Sequence, residues 1–323
     1  MGKLFGSWVI TAVIFVFCFS AGTAWADGPK KMIGVLVWNE AVRYADALRG
    51  IVDQLAAEGF TETDIKMEIR NANSSKAAAA RLAHELAILP MDMYVGIGTS
   101  AALALTKEIK TAPVIFAMVY DPVDSGIVTH LQSSENNTTG VSIYFSAEKF
   151  LGVLSLQPNI KRLAVVYTPG EKNSEGQLRR FLQFGGNFNI DIVPVPLAGK
   201  AETKDTLECL KGRVDAVYLS GGSVVDRDFD RILAINNNSR LITVSHLLDY
   251  SDRGVFLTVG PQAYALGLMS GKKAALVLKG TRPRDIPISD PEKMEVVVNM
   301  RVAESLGVRV SGELLKEATR IIK

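Results

Sequence analysis

The stretch Met32-Ile33-Gly34-Val35-Leu36-Val37 decides the fold, because the chain repeats its pattern as Leu163-Ala164-Val165-Val166-Tyr167. Each stretch is typical of a buried strand, and each precedes a polar loop, an amphipathic helix and further alternating strands and helices. This alternation predicts parallel sheets with helices on both faces. We therefore expect an α/β protein of two doubly wound parallel-sheet lobes. The cleft between such lobes is a common place for small molecules to bind.

An N-terminal leader is expected before these lobes. Lys3 supplies a positive charge, residues 4–19 are almost wholly apolar, and Ala24-Trp25-Ala26 forms a cleavage motif. This combination predicts a secretory signal peptide over residues 1–26, cleaved after Ala26, and hence a periplasmic protein. The alternative is a membrane anchor, but the apolar stretch is marginal for crossing about 30 Å of hydrocarbon.

The remaining length suits two domains of ordinary size. We infer that the chain crosses between the lobes three times, near residues 141–144, 255–260 and 283–288. Three crossings make a stiff hinge that suits closure around a ligand. The predicted boundaries give lobe one residues 27–143 plus 256–283, and lobe two residues 144–255 plus 284–323.

Composition and motif content argue against several function classes. The net charge of +2 gives no electrostatic reason to expect nucleic acid as a partner. The three histidines lie in no metal-binding motif, so we expect no metal site and no cofactor. The sequence has no G-x-S-x-G elbow, no P-loop and no paired nucleophile and base, which argues against an enzyme.

Cys209 is the one cysteine that remains after the predicted cleavage. A lone cysteine forms no internal disulfide, and a core of this size needs none. The neighbouring Leu207 and Leu210 suggest a helix face, so we predict a buried and inert thiol. The alternative is a reactive thiol.

Polar loops follow the strands at the edge where parallel sheets bind ligands. Thr99 and Ser100 open a helix, so their hydroxyls and free backbone N–H groups suit a carboxylate or another anion. The alternative is ordinary N-capping. Asn173 and Ser174 hold the corresponding position in the second half, with the same two interpretations, and Glu171 lies in the same loop.

Further candidates each have a structural alternative. Asp121 suits an ammonium group, or a turn before Pro122. Trp38 and Tyr120 end strands where a ring can stack on a ligand or pack at the hinge, and Tyr264 begins a helix after a crossing. The full set of candidate ligand-binding residues is Trp38, Thr99, Ser100, Tyr120, Asp121, Glu171, Asn173, Ser174, Ser220, Ser223 and Tyr264.

A series of segments, in order over nearly the whole mature chain, carries a family resemblance. The segments are Asn71-Ala72-Asn73-Ser74, Gly98-Thr99-Ser100-Ala101-Ala102, Val119-Tyr120-Asp121-Pro122-Val123 with Gly126, Thr139-Gly140-Val141-Ser142, Tyr167-Thr168-Pro169-Gly170-Glu171-Lys172-Asn173-Ser174, Leu278-Lys279-Gly280 and Val298-Asn299-Met300 with Leu306-Gly307. With them, the chain resembles the ABC-transporter substrate-binding proteins of the tryptophan/tyrosine type, a branch of the type I periplasmic binding protein fold.

This resemblance implies a soluble periplasmic receptor that closes on an amino acid or similar solute and delivers it to an ABC permease in the membrane. It also implies that Thr99, Ser100, Asn173 and Ser174 lie at the ligand cleft. We expect a monomer. The alternative function is a ligand sensor that uses the same lobes to signal to a membrane receptor.

One segment departs from the family. Relatives usually carry a Thr-Asp-Asn-like loop after the third strand of lobe two, whereas this chain has Ser220-Gly221-Gly222-Ser223. An acidic residue there is a natural partner for an ammonium group. Either the ligand is therefore less cationic than an ordinary aromatic amino acid, or Asp121 or Glu171 takes over that role.

Overall fold

The computed structural model describes residues 30–199 and 201–323. The predicted signal peptide and its cleavage point after Ala26 lie outside the described residues. Within the two described ranges, no helix is long and apolar enough to span a membrane.

The first half of the chain alternates strands and helices, as its apolar pattern predicted. Its elements are β1 (Lys31–Val37), α1 (Val42–Ala57), β2 (Ile65–Asn71), α2 (Lys76–Ala87), β3 (Met93–Ile97), α3 (Thr99–Glu108), β4 (Val114–Val119) and β5 (Thr138–Ser142). The strands form one parallel sheet in the order β2-β1-β3-β4-β5. Every residue of β3 and β4 is buried, as expected for central strands covered on both faces.

The second half repeats this plan with a larger sheet. Its elements are α4 (Ala147–Ser155), β6 (Arg162–Tyr167), α5 (Lys172–Phe184), β7 (Asp191–Pro196), α6 (Thr203–Glu208), β8 (Ala216–Leu219), α7 (Ser223–Arg227), α8 (Phe229–Asn238), β9 (Ile242–Ser245), α9 (Asp249–Asp252), β10 (Leu257–Gly260), α10 (Ala263–Leu278), β11 (Glu295–Asn299), α11 (Met300–Leu306), α12 (Gly312–Glu317) and β12 (Arg320–Ile322). The strand order is β12-β11-β10-β9-β8-β6-β7, and only the β10–β11 pairing among these is antiparallel. The predicted architecture of two parallel-sheet α/β lobes is confirmed.

The chain passes between the lobes three times, and two passages lie later than predicted. The first follows Ser142, at the end of β5. The strand β10 pairs with β9 and β11, so Leu257–Gly260 belong to the sheet of lobe two and not to lobe one. Ser289 remains on lobe one, where its carbonyl accepts a hydrogen bond of 2.9 Å from the Ser142 N–H. The second and third passages therefore follow Gly260 and Ser289. The prediction placed the second one earlier because the sequence of an apolar strand does not reveal which sheet it joins.

The helix α10 returns to lobe one and packs directly on α1. The two backbones are in close contact, since a Cβ built on Gly267 would lie 2.2 Å from the Ala47 carbonyl oxygen. A Cβ on Gly50 would lie 2.3 Å from the Tyr264 carbonyl oxygen. This packing fixes α1, whose first turn reaches the cleft between the lobes.

Cys209 is exposed, and the predicted buried thiol is wrong. It lies at the end of the short helix α6, whose buried side instead carries Thr203 and Leu207. The next residue, Leu210, is buried as well. In so short a helix, neighbouring leucines do not determine on which side the cysteine lies.

Candidate ligand-binding cleft

A small cavity lies between the lobes, at the carboxyl ends of the central strands. Its volume is about 30 Å³, which is room for about two water molecules. The lobes are therefore closed on each other in this structure. The cavity is lined by Trp38, Arg43, Tyr44, Thr99, Ser100, Met118 and Tyr120 of lobe one, by Ile143 of the hinge, and by Glu171, Asn173, Gln177, Gly221, His246 and Leu247 of lobe two.

The N-terminus of α3 forms one wall of the cavity. Gly98 precedes the helix with φ of 98° and provides no side-chain cap. The Thr99 hydroxyl accepts a hydrogen bond of 3.2 Å from the Tyr120 N–H, which joins the helix start to the end of β4. The first N–H groups of an α-helix have no partner within the helix and favour a negative charge. This wall is therefore suited to an anionic group such as a carboxylate.

The end of β4 is irregular, and the irregularity positions two cavity residues. Met118 and Asp121 have positive φ values of 59° and 43°, and the pairing of β4 with β5 shifts register between Phe116 and Val119. Such a bulge redirects side chains. Met118 and Tyr120 face the cavity as a result.

The Tyr120 ring is held by aromatic neighbours. It stacks on Tyr144 and packs against Phe145, each at a centroid distance of 5.7 Å. Its hydroxyl is buried and has no hydrogen-bond partner among the described residues. Burial raises the pKa of the Tyr120 hydroxyl, which therefore stays protonated.

Glu171 supplies a carboxylate on the opposite wall. Its Oε2 accepts a hydrogen bond of 2.9 Å from the Ser223 N–H, and its Oε1 accepts one from the Ser223 hydroxyl. Burial raises the pKa of the Glu171 carboxyl, and the two hydrogen bonds from Ser223 oppose that rise. Among the described residues, no cation is hydrogen-bonded to the Glu171 carboxylate, so this buried group is suited to receive an ammonium group.

Asn173 is placed beside Glu171 by the glycine loop of lobe two. Its Nδ2 donates to the Gly221 carbonyl at 3.0 Å. The loop of residues 220–223 is thus tied to the start of α5. Through Ser223, the same loop orients Glu171, which is the one acidic side chain lining the cavity among the described residues.

Six of the eleven predicted residues line this cavity: Trp38, Thr99, Ser100, Tyr120, Glu171 and Asn173. Ser223 does not line it but fixes Glu171. Ser174 is buried behind the loop, where its hydroxyl bonds the Thr168 backbone. Ser220 is also buried, and its hydroxyl is outside the cavity lining and unpartnered within the described residues.

Asp121 and Tyr264 lie elsewhere. Asp121 faces a separate flank cavity of about 570 Å³, where it lies 3.8 Å from Arg180. Tyr264 donates its hydroxyl to Asp53 at 2.9 Å on the surface of lobe one. Of the two acids that sequence reasoning offered as ammonium partners, Glu171 is the one at the cavity.

Arg43 is the main residue that sequence reasoning missed. It lies in the first turn of α1, yet its side chain is only 3% exposed. It forms ion pairs with Asp226 and, at 2.9 Å, with Asp249, both from lobe two. A charged residue beside an apolar helix stripe normally indicates a solvent-exposed face, so no local signal identified it.

A second missed group forms the floor of the cavity. The Tyr218 hydroxyl donates to Gln177 Oε1 at 3.0 Å and lies 2.6 Å from His246 Nδ1. Phe145 stacks on the imidazole at 4.6 Å. Burial lowers the pKa of His246 to about 3, and the positive charge of Arg43 contributes. The imidazole is therefore neutral, and with Nδ1–H donating to Tyr218 each polar group of this floor has a compatible partner.

Comparisons with known proteins show the family and the fold of the chain. The family model described as ABC transporter substrate binding protein matches residues 32–322. A curated protein named tyrosine-binding protein, from Clostridioides difficile, is 24% identical over 282 residues, which is 87% of this chain and 82% of the relative.

Solved structures show the same fold. The ABC domain from Streptococcus pneumoniae in complex with L-Trp matches with a TM-score of 0.86 and 27% identity, covering 91% of this chain and 100% of that one. The ligand-free, open structure of a substrate binding protein from Clostridium difficile matches with a TM-score of 0.71 and 22% identity, covering 91% and 99%.

Proposed function

The chain belongs to the family of ABC transporter substrate-binding proteins, as its sequence segments predicted, and we propose that it captures an amino acid or similar solute in the interlobe cleft. In this proposal it works in the periplasm, after cleavage of the signal peptide, and delivers the solute to an ABC permease. The family match and the two named relatives, one with tyrosine in its name and one in complex with L-Trp, support an amino acid as solute.

One observation carries the proposal for the binding mode: a helix N-terminus and a buried carboxylate line the same cavity. The N-terminus of α3 at Thr99 and Ser100 belongs to lobe one, and Glu171 belongs to lobe two. An α-amino acid carries a carboxylate for the first and an ammonium group for the second. Because each lobe holds one end of the solute, binding favours the closed arrangement.

The remaining walls provide for the solute's side chain. Trp38, Tyr44 and Tyr120 offer aromatic surface, and the floor of Gln177 and His246 offers neutral hydrogen-bonding groups. The cavity of about 30 Å³ is too small for an amino acid. Entry therefore requires the lobes to part about the three-crossing hinge, and the side chains that line the cavity must rearrange when the lobes close around the solute.

Calorimetric titration with amino acids, and with their amine and hydroxy-acid analogues, tests the binding mode. We expect an amino acid to bind, and both analogues to bind more weakly because each lacks one charged end. Glu171→Gln should weaken binding about tenfold to a hundredfold, since a charge-assisted bond is lost while the amide oxygen still accepts from Ser223. Glu40→Gln, an exposed residue in a nearby loop, is the matched control. Equal affinity of wild type and Glu171→Gln would overturn this binding mode.

Uptake of the labelled solute tests delivery. Cells that lack the gene should lose uptake and regain it with the wild-type gene, but regain much less with Glu171→Gln. If the pure protein binds the solute while uptake is unchanged by the deletion, delivery to a permease is wrong and sensing is favoured.

A further inference from the structure

Three charged side chains, almost fully buried, form ion pairs between the two lobes beside the candidate cleft. Arg43 of α1 contacts Asp226 of α7 and Asp249 of α9 through separate guanidinium nitrogens. The side chains of Arg43, Asp226 and Asp249 are 3%, 6% and 13% exposed. The positive charge belongs to lobe one and both negative charges belong to lobe two.

Neighbouring groups hold Asp226 in position from both lobes. Asn39 of lobe one donates to Asp226 Oδ2 at 3.1 Å, and with the same amide nitrogen contacts Ser74 at 2.9 Å. The Tyr250 hydroxyl of lobe two donates to Asp226 Oδ1. The Arg43 guanidinium also lies 4.8 Å from the Tyr44 ring centre and 5.5 Å from that of Tyr250. The Arg43 guanidinium therefore has both of its carboxylate partners only while the lobes are together.

Other interlobe ion pairs differ in burial. Arg179 of lobe two pairs with Asp124 of lobe one at 2.5 Å, but these side chains are 52% and 39% exposed. Water and salt screen such a pair, and its separation costs little. Among the described residues, the Arg43 cluster is the interlobe ion-pair group that is almost fully buried.

We infer that Arg43, clamped by Asp226 and Asp249, is a positioning residue that stabilises the closed arrangement and so sets the solute affinity. Opening of the lobes separates Arg43 from both carboxylates. Removal of Arg43 leaves two carboxylates in the closed cleft without their cation, and removal of the Asp226 charge takes away one of the two interlobe ion pairs. Either change disfavours closure. Because the bound solute leaves only when the lobes part, the cluster acts mainly by slowing solute release. This inference rests on the proposed capture of a solute by lobe closure.

The guanidinium is better suited to this role than an ammonium group. Its planar fork reaches two carboxylates at once, through Nη1 to Asp249 and Nη2 to Asp226. Lys at position 43 keeps the charge but not the two-armed geometry. Arg43→Lys should therefore restore only part of the closed population that Arg43→Met loses.

Interlobe distances in the solute-free protein test the inference directly. The chain from residue 27 has Cys209 as its one cysteine, exposed on lobe two. Ile88, 72% exposed on lobe one, is a site for a second label as Ile88→Cys. Spin labels at the two sites report the distribution of interlobe distances. We expect a substantial closed population in the wild type, and a shift toward open distances in Arg43→Met and Asp226→Asn.

Matched variants and solute kinetics complete the test. Arg49→Met removes an exposed arginine of the same helix, which pairs with Asp46 within lobe one, and should leave the distances unchanged. Arg43→Met and Asp226→Asn should each raise the dissociation constant about tenfold to a hundredfold, through faster release. Asp226 does not line the cavity, so its effect is not a lost solute contact.

Two outcomes separate this inference from the proposed function. Unchanged distances in Arg43→Met and Asp226→Asn would overturn the inference even if the solute binds as proposed. A shift in distances with no binding of any solute would sustain the inference about closure and contradict the proposed function.

Discussion

The backbone at Gly98 shows how one residue shapes the candidate cleft. Its φ of 98° lies in the region that L side chains rarely adopt, and a Cβ would stand 2.9 Å from the Trp38 Cβ and 3.2 Å from the Tyr44 ring. Gly98→Ala should therefore cost about 1–3 kcal/mol of unfolding free energy and weaken solute binding, because Trp38 and Tyr44 must move.

Gly126→Ala separates these two effects. Gly126 has φ of 75°, and no atom beyond its chain neighbours lies within 4 Å of the position that a Cβ would take, so that variant suffers backbone strain without a clash. Urea unfolding and solute titration should show a stability loss in both variants and an affinity loss in Gly98→Ala alone. Equal affinity losses would mean that the space around Gly98 is not what matters for binding.

His246 should make the protein sensitive to acid. Its pKa falls to about 3 in the folded state because of burial, whereas an unfolded histidine titrates near 6.5. Below pH 6.5 the unfolded state binds the proton first, so the free energy of unfolding decreases as the pH falls. Between pH 6.5 and 4.5 this one site should cost about 2 kcal/mol.

The variant His246→Asn tests this dependence, because its amide can still donate to Tyr218. We expect a smaller loss of stability between pH 6.5 and 4.5 than in the wild type, measured by urea unfolding. His130→Asn, at an exposed site, is the control. Glu171 has the opposite effect on the free energy of unfolding. Its pKa is raised in the folded state, so the folded state binds a proton more readily as the pH falls. If the free energy of unfolding of His246→Asn falls with pH as steeply as that of the wild type, then His246 is not the source of the acid sensitivity.

At the scale of elements, the contact between α1 and α10 depends on glycine. A Cβ on Gly267 would lie 2.2 Å from the Ala47 carbonyl oxygen, which no side chain tolerates. Gly267→Ala should push the helices apart and lower the free energy of unfolding by about 1–3 kcal/mol. Gly312→Ala in α12 is a matched helical control, because no atom outside its own helical turn lies within 4 Å of its Cβ position. Urea unfolding of both variants measures the difference. A free energy of unfolding unchanged in Gly267→Ala would show that the helices are less tightly packed.

Element type was predictable from the sequence, whereas element partnership was not. Apolar strands such as β1, β3 and β6 and the stripe of α1 have periodicities that local physics alone produces. By contrast, β10 has the same apolar pattern whether it joins the first or the second sheet. The α1–α10 contact joins segments more than 200 residues apart, so the glycines that permit it carry no local signal of their partner.

The residues of the candidate cleft likewise fall into those that the sequence predicted and those that it did not. Thr99, Ser100, Glu171 and Asn173 follow strands, and topology alone brings such residues to one edge of a sheet. Arg43 lies 183 and 206 residues from its partners Asp226 and Asp249. Its burial is a property of two lobes meeting, and no spacing in the sequence expresses it.

At the scale of the whole molecule, lobe motion should be visible through a single chromophore. Trp8 and Trp25 lie in the predicted signal peptide, so Trp38 is the one tryptophan of the chain from residue 27. It lines the cavity and is 4% exposed while the lobes are closed. Parting of the lobes exposes it to water and to neutral quenchers, so its fluorescence reports the closed fraction in solution.

Acrylamide quenching therefore gives the last prediction. A non-fluorescent solute that calorimetry shows to bind should lower the quenching constant of Trp38, because closure around the solute shields the indole. Arg43→Met should raise the quenching constant of the solute-free protein, while Arg49→Met should leave it unchanged, since the Arg49–Asp46 pair lies within lobe one. Trp38→Phe should abolish the signal and so verify its source. If a bound solute leaves the quenching constant unchanged, then binding does not close the lobes over Trp38. The proposed binding mode, in which each lobe holds one end of the solute, is then wrong even though the solute binds.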